Sequence, residues 1–311
     1  MKTAYLAISY KCNQNCSFCP CSKEEHSYPF VELESLKEVA GKMTRENNVD
    51  MIVISGGEPT IHPHFIELIR YILLDCNCSI TILSNGENYY RPEFVKKIAE
   101  LNASDRITCI TTLHSQDASE HEEINGSRGS LMRSVEGLKN MFGIGADIIV
   151  KHCITKKNYE DLTKFYDFID ETFDEKVSLQ LCSIDYCGLT QEELDSHMLS
   201  FVELRPHLEE MFDHYIEKCE NGSKRHLYAI NMPFCSCDPY YWNILVGRED
   251  TYSTYASPNN SGQVLKKDNV ENNVDTFGEG CRNCQAREIC PGTYKTAFEC
   301  FGDRIIEPYL E

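Results

Sequence analysis

The sequence predicts an α/β fold with a parallel sheet over residues 3 to about 182, followed by a small cysteine-rich module. Two observations support this prediction. Short runs that are apolar on both faces alternate with amphipathic stretches of helical periodicity, as in a parallel sheet covered by helices. The cysteines of the tail are compressed into segments with little periodicity. Six strand–helix units fit either a doubly wound sheet or a curved, barrel-like sheet.

The individual elements follow from local patterns. The predicted strands are 3–10, 51–55, 79–84, 106–115, 146–155 and 177–183. The predicted helices between them are 33–43, 63–74, 92–101, 130–142 and 158–173. Pro63 and Pro92 stand at helix starts, where the missing N–H has no cost. A longer helix over 190–220, bent at Pro206, leads into the tail at 226–311.

Charge and hydropathy exclude several classes of protein. The net charge is −19 over 311 residues, which argues against a partner held through nucleic-acid phosphates. The same charge fits simple solubility or the attraction of a basic peptide. The sequence contains no apolar run long enough to span a membrane, and its first ten residues are too polar for a signal peptide. We therefore expect a cytoplasmic protein.

The 17 cysteines indicate metal chemistry. Their number is odd and no secretory signal is evident, so a disulfide framework is not expected. Cys12, Cys16 and Cys19 form a C-x3-C-x2-C array directly after the first strand. Three thiolates can bind three irons of a [4Fe–4S] cube and leave the fourth iron open. A structural zinc site would need a fourth ligand, which Cys21 could supply.

Further unusual residues follow the next two strands. "GGEP" spans residues 56–59 after the second strand, and "SNG" spans residues 84–86 after the third. Because ligands meet the carboxyl ends of parallel strands in both candidate architectures, these residues and the cysteine array are expected to share one site.

The cysteine array, the aromatic Phe18 before its third cysteine, and "GGEP" about forty residues later resemble the radical S-adenosylmethionine (SAM) superfamily. The resemblance implies a partial (β/α)6 TIM-like barrel in which the open iron is chelated by the amino and carboxylate groups of SAM. Reductive cleavage of SAM would then give a 5′-deoxyadenosyl radical that takes a hydrogen atom from the substrate. The implied division is a barrel at 1–185, a helical connection at 186–225 and an auxiliary-cluster module at 226–311.

The resemblance also implies a set of cofactor-binding residues. Phe18 is expected near the adenine, Ser115 near the ribose, and the two glycines of "GGEP" near the methionine ammonium, where they let the backbone approach closely. The segment "HEEINGSRGSL" carries Asn125 where the family usually has arginine, so Arg128 becomes the candidate for the carboxylate. The full set is Phe18, Gly56, Gly57, Glu58, Pro59, Ser84, Asn85, Ser115 and Arg128.

The tail resembles the auxiliary-cluster module of peptide-modifying radical SAM enzymes, called SPASM in its long form and twitch in its short form. The full SPASM pattern has seven cysteines for two clusters, whereas this tail has six and lacks the C-x3-C after the third. One auxiliary [4Fe–4S] cluster is therefore expected, with the ligands Cys235, Cys281, Cys284 and Cys290. Cys237 and Cys300 are then substitutes, ligands of a second cluster or free thiols. A zinc ribbon is the alternative.

These resemblances imply an enzyme that modifies a ribosomally made precursor peptide. The product would be a carbon–carbon cyclophane or thioether crosslink, or an epimerised residue, and a flavodoxin or ferredoxin would supply the electron. Because the array begins at residue 12, the leader is expected to bind to the barrel, the tail or a separate protein.

Cys182, Asp185 and Cys187 follow the last barrel strand and are candidate catalytic residues, although a core role for Cys182 is the alternative. The other functional hypotheses are a radical SAM enzyme acting on a protein side chain or a small molecule, and a non-catalytic iron–sulfur or zinc protein.

Overall fold

The computed structural model describes residues 2–247, 252, 254–268 and 275–310. These residues belong to two compact units that are not contiguous in sequence. The first unit comprises Met1–Leu113, Ala118–Ile149 and Thr251–Glu271, and the second comprises His114–Asp117, Val150–Asp250 and Asn272–Glu311. The division of the chain at residues 185 and 225 stays a prediction.

The six predicted strands and the five helices between them are confirmed, with ends that shift by a few residues. The strands β1 to β9 span Thr3–Ser9, Met51–Gly56, Ser79–Ser84, Ile107–Thr112, Asp147–Cys153, Ser178–Cys182, Leu227–Ile230, Thr254–Pro258 and Val264–Asp268. The helices α1 to α9 span Leu33–Asn47, Phe65–Arg70, Pro92–Ala99, Ala118–Asn125, Ser130–Gly143, Leu162–Thr172, Gln191–His197, Phe201–Glu220 and Lys295–Phe301.

The first unit contains an open, mainly parallel sheet with the strand order β4-β3-β2-β1-β8-β9. In this order the neighbouring strands β4, β3, β2, β1 and β8 pair in parallel, and the edge strand β9 runs antiparallel to β8. Leu6, Ile54 and Ile82 are fully buried, as expected for strands covered on both faces. Since β1, β2 and β3 lie side by side, the segments that follow them meet at one edge of the sheet.

Strands β8 and β9 come from the segment that the sequence assigns to the C-terminal module. Strand β8 pairs in parallel with β1 through Ala4–Thr254 to Leu6–Ala256. The second unit has its own parallel pair, β6 with β7, in the register Leu179–Leu227. None of the described helices combines the length and apolar character that a membrane crossing requires.

The prediction of one helix over 190–220 bent at Pro206 is wrong. Two helices occupy this segment, α7 and α8, and the chain between them is extended at Met198 and Ser200. The Ser200 hydroxyl accepts the Glu203 N–H at 3.1 Å, and the Glu203 carboxylate accepts the Ser200 N–H at 3.2 Å. This capping box begins a new helix, while Pro206 lies within α8.

Arg225 is the largest side chain among the fully buried ones of the second unit, and its loss should destabilise the protein. Its guanidinium donates to three carbonyls of the loop after α6 and lies 3.4 Å from the Asp170 carboxylate. Removing it takes a donor from the Phe173 and Val177 carbonyls, whereas the Asp174 carbonyl still accepts the Val177 N–H at 3.0 Å. We therefore expect Arg225→Met to lower the free energy of unfolding by about 2–4 kcal/mol in urea denaturation. The accepting carbonyls are those of Phe173 (2.8 Å), Asp174 (3.2 Å) and Val177 (2.6 Å).

Lys224→Met is the matched control, because it removes a neighbouring but exposed positive charge. Equal midpoints for the two variants would contradict a structural role of the Arg225 guanidinium.

Candidate functional site

The cysteine array lies in the loop after β1, and helix α4 holds this loop in place. The Asn15 N–H donates to the Asn125 carbonyl at 2.9 Å, and the Ser17 N–H donates to the Ile124 carbonyl at 2.8 Å. Carbonyls in the last turn of a helix lack intrahelical partners. The loop therefore uses the free end of α4 as its anchor, and the cysteines on either side are positioned by it.

All three thiols of the array are half-buried. The Gln14 N–H donates to Cys12 Sγ at 3.4 Å, and the Cys16 thiol donates to the Gln14 side-chain carbonyl at 3.7 Å. Burial raises the pKa of Cys12 to about 11 and that of Cys16 to about 12. A hydrogen bond from Cys21 lowers the pKa of Cys19 to about 6. A bound metal cluster would have to displace the protons of the first two thiols.

The glycines of "GGEP" are required by the close approach of the loop after β1. Gly56 has φ +130°, and a Cβ atom there would lie 1.9 Å from the Ser9 carbonyl oxygen. A Cβ on Gly57 would lie 2.4 Å from the Lys11 carbonyl oxygen, and the Gly57 N–H donates to the Ser9 carbonyl at 2.7 Å. Contacts with the backbone of the loop after β1 are therefore sufficient to explain why both positions require glycine. Their role toward methionine stays a prediction, as does that of buried Pro59.

Glu58 ties the end of β2 to the end of β3. Its carboxylate is 1% exposed and accepts the Thr60 N–H at 2.9 Å, the Ser84 hydroxyl at 2.9 Å and the Asn85 N–H at 2.7 Å. It also accepts the Thr60 hydroxyl. Burial raises the pKa of Glu58, and these hydrogen bonds oppose the shift. Both carboxylate oxygens are thus engaged in fixing the site's framework.

Asn85 connects the turn after β3 to the cysteine loop. Its amide donates to the Asn13 side-chain carbonyl at 2.8 Å, and its own side-chain oxygen accepts the Glu87 N–H at 3.1 Å. Asn13 lies next to Cys12 in the sequence. The predicted meeting of the first and third strand ends is therefore observed as a direct contact.

A buried carboxylate that the sequence analysis missed, Glu87, lies beside this contact. Glu87 Oε1 accepts the Gln14 amide at 2.8 Å and the Ser127 hydroxyl at 2.9 Å, and Oε2 accepts Arg133 Nε at 2.7 Å. Burial favours a raised pKa, but these donors outweigh it and lower the pKa of Glu87. The signal in the sequence is an acidic residue directly after "SNG". Arg133 is separated from it by 46 residues and could not be paired with it from the sequence.

We expect Glu87→Gln to slow the formation of 5′-deoxyadenosine about tenfold or more without lowering the iron content. An amide cannot accept both the Gln14 and Arg133 donors as a carboxylate does, so the array loses its support; partners that orient metal ligands have effects of this size. The rate is measured with excess SAM and dithionite. Glu136→Gln, which removes an exposed charge on the same helix as Arg133, is the control. Equal rates for both variants would refute the positioning role.

The segment around Asn125 is organised by its own contacts. Asn125 is buried, its amide donates to the Ser130 hydroxyl at 2.9 Å, and its oxygen accepts the Ser127 N–H at 2.8 Å. Arg128 is exposed, and its carbonyl accepts the Arg133 guanidinium at 2.9 Å. Phe18 is 9% exposed. The predicted contacts of Arg128 and Phe18 with SAM stay predictions.

In the second unit, Ser115 is fully buried, and its hydroxyl accepts the Asp117 N–H at 3.0 Å. This bond shapes the turn after β4. Its predicted contact with the SAM ribose stays a prediction.

Four of the six tail cysteines line one cavity in the second unit. These are the four predicted auxiliary ligands, Cys235, Cys281, Cys284 and Cys290, and the space between them and the other walls, part of it open to solvent, is about 360 Å³. The other walls are apolar, apart from Arg287 and two threonines. The N–H groups of Phe234 and Gly292 both donate to Cys290 Sγ at 3.4 Å. Four thiols around an apolar cavity, with N–H donors to sulfur, fit an iron–sulfur cluster.

The two remaining tail cysteines do not line this cavity. Cys237 is fully buried, and burial raises the pKa of its thiol to about 12. Cys300 lies on α9 and is half-buried.

Among the cysteines that do line the cavity, burial raises the pKa of Cys235 to about 12, and the neighbouring thiols of the cavity add to the shift.

The three candidate catalytic residues have different environments. Cys182 is 1% exposed and accepts the Asn231 amide at 3.5 Å; a hydrogen bond from Cys153 and the charge of Lys151 lower its pKa to about 6. Asp185 accepts the Thr296 hydroxyl at 2.6 Å and the Cys187 N–H at 3.1 Å. Cys187 itself is exposed. Their catalytic roles stay predictions.

The sequence of this chain is similar to a known family and to several known proteins. The family model described as "Radical SAM superfamily" matches residues 6–169, more than half of the chain. A probable GTP 3′,8-cyclase of Sulfurisphaera tokodaii is 25% identical over 239 residues, which cover 76% of this chain and 72% of that protein. The mycofactocin maturase MftC of Mycolicibacterium smegmatis is 26% identical over 159 residues, which cover 51% of this chain and 39% of the maturase.

A solved structure shares the fold along nearly the whole chain. SuiB of Streptococcus suis, bound to its precursor peptide SuiA, superposes with a TM-score of 0.66 at 17% identity and covers 99% of this chain and 74% of SuiB. The cysteine array and the loops after β2 and β3 lie within the residues that the family model matches. The chain belongs to the radical SAM superfamily and is an enzyme of the kind that uses SAM and a [4Fe–4S] cluster.

Proposed function

We propose that this enzyme modifies a ribosomally synthesised peptide and carries one auxiliary [4Fe–4S] cluster in addition to the radical cluster. The observation that carries the proposal is the fold match to SuiB bound to its precursor peptide, which covers 99% of this chain. The cysteine-lined cavity in the tail supports it, because it provides four thiols separate from those of the array. The net charge of −19 is suited to a basic leader peptide.

Each group of residues has a proposed role. Cys12, Cys16 and Cys19 would hold the radical cluster, and the four cavity cysteines would hold the auxiliary one. When bound, the radical cluster and SAM supply a 5′-deoxyadenosyl radical for hydrogen abstraction. Glu58 and Glu87 hold the strand-end loops in register, which pre-organises the cysteine loop for its ligands. The proposed SAM contacts are Phe18, Gly56, Gly57, Glu58, Pro59, Ser84, Asn85, Ser115 and Arg128.

The product is proposed to be a crosslink (a cyclophane or thioether) or an epimerised residue. Cys182 is the candidate hydrogen-atom donor for epimerisation, since a protonated thiol can give a hydrogen atom to a carbon radical. The thiyl radical that remains would take up one electron from the reductant and one proton to restore the thiol. The Asn231 amide that contacts its sulfur also donates to the Tyr294 hydroxyl at 2.7 Å, so the thiol belongs to a polar cluster. Asp185 and Cys187, which follow Cys182 in the sequence, are proposed as further catalytic residues that face the substrate. A flavodoxin or ferredoxin is the proposed reductant.

A second candidate is action on a nucleotide. The match to a probable GTP 3′,8-cyclase covers more of this chain than the match to the maturase MftC. A triphosphate requires a concentration of positive charge, whereas this chain has 49 acidic and 30 basic residues. The charge therefore favours the peptide.

The test is a reaction in D₂O with SAM, dithionite and candidate peptides encoded near the gene, with GTP in a parallel reaction. We expect one peptide to increase the formation of 5′-deoxyadenosine and to change mass. A loss of two hydrogens indicates a crosslink, and a gain of one deuterium indicates epimerisation. A stimulation by GTP with no response to any peptide would replace the proposal with the second candidate.

A further inference from the structure

A group of three metal-ligating side chains begins at the last cysteine of the array. It consists of Cys19, Cys21 and His26, and we call it the Cys19 triad. Its ligand atoms all lie within 4.8 Å of one another, and Cys19 Sγ is 3.7 Å from His26 Nε2. All three residues are half-buried. Among the described residues, no other set of three His, Cys, Asp or Glu side chains meets this distance.

The segment after Cys21 places the imidazole beside the thiols. Ser22 and Glu25 form reciprocal bonds, from the Glu25 N–H to the Ser22 hydroxyl at 3.1 Å and from the Ser22 N–H to the Glu25 carboxylate at 2.7 Å. These reciprocal bonds have the pattern of a capping box, and they close the turn that leads into a short 3₁₀ helix, Glu25–Ser27. His26 lies within that turn. The triad is therefore organised by backbone contacts that need no metal.

The donor set selects a type of ion. Two thiolates and one imidazole suit a borderline-soft divalent cation such as Zn²⁺, and three protein ligands leave one tetrahedral position for water. Cys12 and Cys16 are not part of the group and instead contact Gln14. Half-exposure gives an ion in solution access to the site.

We infer that the cluster-free chain binds one zinc ion through Cys19, Cys21 and His26. The inference rests on the proposed function in one respect: Cys19 is also a proposed ligand of the radical cluster. A chain loaded with zinc at the triad therefore cannot assemble that cluster until the zinc leaves, and loading of the two metals is mutually exclusive.

The experiment uses the full-length chain, prepared anaerobically without iron, and titrated with Zn²⁺ in competition with a chromophoric chelator. The proteins are the wild type, Cys21→Ser, His26→Gln and the control Cys12→Ala/Cys16→Ala, which removes two thiols of the array but keeps the triad. Zinc bound by the tail cysteines contributes equally to all four. We expect Cys21→Ser and His26→Gln to bind one tight equivalent less than the wild type, with at least a tenfold weaker affinity. The control should retain that equivalent.

A second step tests the competition. The zinc-loaded proteins receive iron and sulfide, and the released zinc is measured together with 5′-deoxyadenosine formation. The wild type should release the triad equivalent as it gains SAM cleavage, whereas Cys12→Ala/Cys16→Ala should retain it.

The outcomes separate the inference from the proposed function. Equal zinc stoichiometry and affinity in the wild type, Cys21→Ser and His26→Gln would overturn the zinc site, whatever the enzyme does to SAM. Retention of the triad zinc by a wild-type protein that cleaves SAM would overturn the competition for Cys19. Absence of SAM cleavage after the triad zinc has been released would count against the proposed function and leave the zinc site standing.

Discussion

The triple variant Cys12→Ala/Cys16→Ala/Cys19→Ala is expected to form no 5′-deoxyadenosine from SAM and to contain about four irons per chain, where the wild type contains about eight. The physical reason is that a cluster needs thiolate ligands and that these three lie on one short loop. The four cysteines around the tail cavity are untouched, so their cluster should remain. Iron, sulfide and 5′-deoxyadenosine are measured on anaerobically reconstituted protein.

The matched control for this experiment is Cys76→Ala/Cys219→Ala. Both residues are half-buried cysteines, as are those of the array, but they lie outside both cysteine groups. This control should keep its iron and its activity. Continued formation of 5′-deoxyadenosine by the triple variant would refute the assignment of the radical cluster. Zinc in place of iron in both proteins, without SAM cleavage, would favour a structural protein.

Cys281→Ala is expected to lower the iron content by about four per chain while cleavage of SAM continues. The cavity would then offer three thiols in place of four. Unlike the array, it has no SAM to complete the ligation of the fourth iron, so we expect the cluster to be lost. Because metal binding and folding are coupled in small modules with limited cores, the thermal unfolding of the reconstituted protein should also begin at a lower temperature. Product formation on the peptide should be lost, since the auxiliary cluster is proposed to serve that step.

Cys300→Ala is the control here, because Cys300 belongs to the same unit, is half-buried and does not line the cavity. It should retain about eight irons. A full complement of iron in Cys281→Ala would show that the auxiliary ligands are assigned wrongly. Loss of iron in Cys300→Ala would show that Cys300 is itself a ligand of the auxiliary cluster.

Local patterns in the sequence were sufficient for the main strands and for the family. Alternating apolar and amphipathic runs predict strands and helices because burial and periodicity depend on local sequence. The spacing of Cys12, Cys16 and Cys19 indicates the family because three thiols on one short loop can bind the same cluster. The convergence of Cys235 with Cys281, Cys284 and Cys290 was expected only through the family resemblance, and the shared cavity now supports it. Ser200 and Glu203 form the capping box that begins a helix at Phe201, and this pattern is present in the sequence. The apolar stripe of the segment continues through the break, however, and predicts a single helix.

What the sequence could not supply are pairings between residues far apart in the chain. The bonds of Glu58 to Ser84 and Asn85, and of Glu87 to Arg133, depend on which strand ends lie side by side. Strand β8 pairs with β1 although the two are about 250 residues apart in sequence, and no local pattern predicts this pairing. His26 is close to Cys19 in sequence, but only the turn set by Ser22 and Glu25 brings its ring to the sulfur. Local preferences determined the elements and the chemistry of the ligands, whereas packing of distant segments decided which side chains share a site.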